Sequence, residues 1–70
     1  MKKIITYKTG NTHELKQAVL LEPENISAHY ELGLLYQTEG KNELAKESFN
    51  RVLFLNPEDE KAKKGLLELK

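Results

Sequence analysis

The chain has 70 residues, enough for one small domain whose core hides only a modest share of its surface. Its eleven basic and eleven acidic side chains cancel, which removes the positive footprint expected of a protein that tracks nucleic-acid phosphates. Cysteine is absent, so neither disulfides nor thiolate metal sites can add stability.

Met1-Lys2-Lys3 begins like an export signal, but the apolar run that follows is only Ile4-Ile5 before Thr6, Tyr7 and Lys8. Neither an export signal nor a membrane span is expected, and the expected location is cytoplasmic. Ile4, Ile5 and Tyr7 belong to a tail over 1–10 that reads either as a short extended segment or as irregular chain. Asn11 or Thr12 then caps a helix running to about 22, with Leu15, Ala18, Val19 and Leu21 apolar. Asn25 is the natural N-cap of a second helix over 26–38, where Ala28, Leu32, Leu35 and Tyr36 form one apolar face. In the segment "TEGKN" (38–42), Gly40 suits the left-handed conformation that ends many helices. A third helix over about 42–55 carries Leu44, Ala45, Phe49, Val52 and Leu53 on one face, with Glu43, Lys46, Glu47, Asn50 and Arg51 opposite. Glu47 and Arg51 are spaced to pair along it. Asp59 caps a last helix with Ala62, Leu66 and Leu69 at helical spacing.

The chain repeats itself. "LLEPEN" (20–25) and "FLNPED" (54–59) share a layout, with Pro23 and Pro57 standing 34 residues apart. At the same offset Leu15 matches Phe49, Ala18 matches Val52, Val19 matches Leu53, and Leu20 matches Phe54. A period of this size points to stacked supersecondary units. The expected plan is an all-α fold of about four helices: a tail (1–10) and a helical domain (11–70). The domain divides into a half unit (11–25), a whole unit (26–59) and a capping half unit (60–70).

The whole unit, "ISAHYELGLLYQTEGKNELAKESFNRVLFLNPED", resembles a tetratricopeptide repeat: Leu32-Gly33, Tyr36, Gly40, Ala45, Phe49 and Pro57 stand at that family's spacings. It departs from the family at His29, where tryptophan is usual, at Asn42, where an aromatic is common, and at Val52, where alanine is usual. The resemblance implies antiparallel helical hairpins stacked as a short solenoid. It also gives a reason for Gly33, which sits inside the apolar stretch "YELGLLY" (30–36) at a cost of about 1 kcal/mol relative to alanine. Gly33 and Ala45 would lie on facing sides of the two helices and let the backbones approach closely.

Catalytic chemistry finds no foothold. His13 and His29 lie on different helices with no acid at a convincing third-ligand spacing. Neither Ser27 nor Ser48 sits in a nucleophile elbow, and "TYKTGNT" lacks the Gly-Lys-Ser/Thr order of a phosphate loop. Glu58-Asp59-Glu60 stands at a helix start, where the helix dipole alone accounts for acids. The expectation is no enzyme, no catalytic residue, no metal and no cofactor.

In the family, stacked first helices line a concave groove for peptides. The resemblance places Ser27, Tyr30, Glu31, Leu34, Gln37 and Thr38 on that face, with Lys61, Lys64 and Glu68 on the last helix. Tyr30 and Leu34 stand where members that clamp a C-terminal carboxylate carry lysine and asparagine, so that activity does not carry over. The Tyr30/Leu34 pair serves either as an anchor for a partner's peptide or as a seat for the chain's own Ile4, Ile5 and Tyr7. Lys61 and Lys64 either attract an acidic peptide or belong to a solvated cap face. Leu20 and Phe54 stand where the family usually places a charged residue. Two functions follow as expectations: a non-catalytic module binding a peptide of a partner protein, or an assembly subunit that self-associates as a homodimer through Leu20 and Phe54. Glu60, Lys63, Glu68 and Lys70 give the last helix a polar outer side, which argues against open-ended stacking. Nucleic acid and membrane are not expected partners.

Overall fold

A computed structural model describes residues 12–69 and, within them, four α-helices: α1 (Thr12–Leu21), α2 (Ile26–Thr38), α3 (Asn42–Leu55) and α4 (Glu60–Glu68). The expectations for the 1–10 tail, for Asn11 as a cap and for Lys70 lie outside the described residues. Each helix packs on the next, and the α2–α3 hairpin is the most extensive pairing. The result is an elongated stack of 38 × 24 × 16 Å.

The 34-residue repeat returns bond by bond in the two loops that separate the units. The Asn25 side-chain oxygen accepts the Ala28 N–H at 3.0 Å, and Asp59 accepts that of Ala62 at 3.0 Å. The Asn25 N–H donates to the Glu22 carbonyl at 2.9 Å, and the Asp59 N–H to that of Asn56 at 3.0 Å. Both cap residues have extended backbone and satisfy donors that a helix start leaves without partners. Inside the hairpin the turn has different chemistry. Gly40 adopts φ 77°, its N–H donates to Gln37 at 3.1 Å, and the Lys41 N–H reaches Tyr36 at 2.8 Å. This pair of bonds is the Schellman arrangement that lets a helix stop and reverse.

At the centre stands Phe49, fully buried with Val52, Ala45 and Ala62. Leu32, Tyr36 and Ala28 complete the buried core, and Leu15, Val19, Ile26, Leu53, Leu66 and Leu69 pack around it. The close approach at Gly33 is sharper than the Gly33/Ala45 pairing expected from sequence. A Cβ on Gly33 would lie 2.7 Å from the Phe49 ring, and a Cβ on Gly65 would lie 2.8 Å from it on the other side. The ring occupies a slot between two glycines, one on α2 and one on α4. Phe49 thereby ties the hairpin to the following helix.

Some details of the sequence reading change. Leu44 and Leu21, read as members of apolar faces, are exposed, because no neighbouring helix among the described residues covers those sides. Glu47 and Arg51 do not pair; the Arg51 guanidinium lies over the Phe54 ring at 5.5 Å from its centroid. Two ion pairs among the described residues, Lys41 with Glu39 at 3.4 Å and Lys63 with Glu60 at 4.0 Å, lie near the surface and are local, of the kind that contributes little to stability.

Candidate protein-interaction face

The expected groove residues divide between α2 and α4. On α2, Tyr30 and Leu34 are one turn apart and so share a face, with Ser27, Glu31, Gln37 and Thr38 around them. Leu34 is 38% exposed. Tyr30 is half-buried: its ring packs on the core, 5.8 Å from the Phe49 ring centroid and tilted by 46°. It therefore contributes to the fold as well as to the surface, which its spacing alone did not show.

From α4 the Lys61 ammonium comes over the Tyr30 ring at 5.0 Å from its centroid. Such a contact is worth roughly 0.5–1 kcal/mol at an exposed site and holds the cation beside the ring. Lys61 and Lys64 are exposed one turn apart on α4, and neither forms an ion pair with a described acid. Thr38 turns its hydroxyl inward, donating to the Leu34 carbonyl at 2.9 Å. Glu31 and Glu68 are exposed, Gln37 is half-buried, and the structure gives none of the three a specific contact with Tyr30 or Lys61. The structure thus brings together an anchored aromatic ring with a cation over it and an exposed leucine one turn away.

A different side of α2 floors a groove of about 370 Å³ between α1 and α3. Leu32 and Tyr36 form its base, Lys16 and Leu20 one lip, and Leu44 and Arg51 the other. His29 also borders it, held by a hydrogen bond between Nε2 and the Pro23 carbonyl at 2.9 Å. Glu47 and Arg51 line both this groove and the smaller one beside Phe54. Leu20 and Phe54, 74% and 75% exposed, thus stand on the α1 and α3 borders of neighbouring depressions.

Among the described residues no three His, Cys, Asp or Glu side chains come together as a metal site would. No described helix is long and apolar enough to cross a membrane. One surface residue escaped the sequence reading: Leu67 on α4, 81% exposed. The signal that identifies it is the repeat itself, since Leu67 stands 34 residues after Gly33.

Compared with known proteins, residues 26–59 match the family model described as tetratricopeptide repeat. No curated protein and no solved structure gives a significant match to the chain.

Proposed function

We propose that this chain is a non-catalytic interaction module holding a peptide segment of a partner protein on the α2/α4 face, a reading supported by the match of residues 26–59 to the tetratricopeptide-repeat model, a kind of unit that generally mediates contacts between proteins. The observation that carries the reading is Tyr30: a ring already fixed against Phe49, with Lys61 over it and Leu34 one turn away. An aromatic that is ordered before binding loses little further freedom on complex formation, which favours affinity. Tyrosine is also among the residue types that dominate interface energies.

The test is selection of peptides from a random display library on the full chain, followed by measurement of affinity for the variants Leu34→Ser and Lys61→Glu. Both positions are exposed, so helicity should be unchanged. Each change is expected to weaken a selected peptide about ten-fold, roughly 1.4 kcal/mol. Unchanged affinity in both variants contradicts the reading.

A second reading, assembly of a homodimer through Leu20 and Phe54, is favoured by their high exposure at equivalent positions of the repeat. It is tested by Phe54→Glu, which should abolish a dimer that forms through this side.

A further inference from the structure

One stripe of α3 is exposed along its whole length: Leu44, Glu47, Arg51 and Phe54, spaced by three, four and three residues. That spacing keeps the four side chains in line along the helix, the pattern of a seam between paired helices. Ala45, Ser48, Phe49 and Val52 turn to the core instead. Leu44 and Phe54, 40% and 75% exposed, stand at the two ends of the stripe, with the two charges between them.

Within the chain these charges do not meet. Glu47 followed by Arg51 is the favourable order for a pair one turn apart, yet the Arg51 guanidinium lies over the Phe54 ring, 5.5 Å from its centroid. Among the described residues neither charge forms an ion pair. The layout is also symmetric. Leu44 with Phe54 and Glu47 with Arg51 share one midpoint, at position 49, so a copy of α3 turned end for end lays leucine on phenylalanine and acid on base. A foreign partner would require no such symmetry.

We propose that this stripe is the seam of a two-fold homodimer, in which α3 of one copy packs antiparallel on α3 of the other. Each Leu44 meets the other copy's Phe54, and each Glu47 meets the other copy's Arg51. The contact is isologous, so it closes at two chains. The surrounding charges agree with this pairing. The groove between α1 and α3 is bordered by Lys16 from α1, His29 from α2, and Glu47 and Arg51 from α3. Glu43 and Asn50 flank the stripe on its outer edge, and Lys46 lies further round the helix. Lys16 and Arg51 balance Glu43 and Glu47, so two identical faces meet without net repulsion. The inference rests on the homodimer reading of the Leu20/Phe54 side and adds its axis, its register and its charge pairs. Leu20 belongs with it as a lining residue of the groove that Leu44 also borders.

Sedimentation equilibrium of the full chain up to high concentration tests the proposal. The mass should rise to that of two chains and stop. Glu47→Arg and Arg51→Glu each set two like-charge pairs across the seam and should weaken the dimer about ten-fold. Both substitutions in one chain rebuild two opposite-charge pairs and should restore the affinity. Mixing the two single variants should likewise give a mixed dimer tighter than either variant forms alone. Both positions are exposed, so circular dichroism should be unchanged. A strict monomer overturns the proposal together with the homodimer reading. A dimer lost in Phe54→Glu but indifferent to both single charge changes, or one that the double variant fails to restore, overturns the proposal alone. A mass that climbs past two chains overturns it as well.

Discussion

Gly33 shows how a residue that is poor for a helix can be right for a fold. Alanine there would improve local helix propensity by about 1 kcal/mol, yet its Cβ would fall 2.7 Å from a ring that cannot retreat, because Gly65 backs it on the far side. Overpacking of this kind costs about 1–3 kcal/mol, so Gly33→Ala should lower stability by roughly 1 kcal/mol net. Thermal denaturation followed by circular dichroism measures it. In a Phe49→Leu background the slot is looser, and the same substitution should become neutral or stabilising, a coupling expected only of residues in contact. A close approach at Gly33 was expected from the resemblance of residues 26–59 to a repeat family. Its partner was not. Periodicity places Phe49 on a core face without saying which glycines flank its ring, and Gly65 acquires its role only when α4 stacks on the hairpin.

The helices themselves followed from local chemistry. Asn25, Gly40 and Asp59 mark starts and stops through bonds that involve only their immediate neighbours, so both bounds of α2 and the start of α4 are readable without knowledge of the fold. Where partners decide, the reading changed: Leu21 and Leu44 match helical spacing but lie on sides that no described helix covers. The same cap geometry at Asn25 and Asp59 leads to a specific expectation. Asn25→Ala and Asp59→Ala should each cost about 1 kcal/mol, and their near-equality would show that both loops bear on one cooperative unit. Chemical denaturation of the two variants checks it: midpoints should fall by similar amounts with unchanged slope.

At the scale of the whole molecule, stability is concentrated at one point. A single core in a chain of this size supplies about 3–5 kcal/mol, and removal of a buried phenylalanine costs about the same. Phe49→Ala should therefore abolish cooperative melting, which a loss of the circular dichroism transition would show. Tyr30 joins the two scales, because the ring that packs on Phe49 also lies under the Lys61 ammonium, with Leu34 one turn away. The proposal of this face began from the resemblance of residues 26–59 to a repeat family. The aromatic anchoring required α3 to be packed on α2, and the lysine above the ring required α4 to be placed.

The central claim is that this face is where a partner's peptide lies. Its most direct test is a nuclear magnetic resonance titration of the isotope-labelled chain with a peptide selected on it, following the backbone amides. The account predicts that the largest shifts fall on Tyr30, Glu31, Leu34 and Lys61, with α1 and the outer side of α3 little changed. Shifts centred instead on Leu20, Leu44 and Phe54 would contradict it.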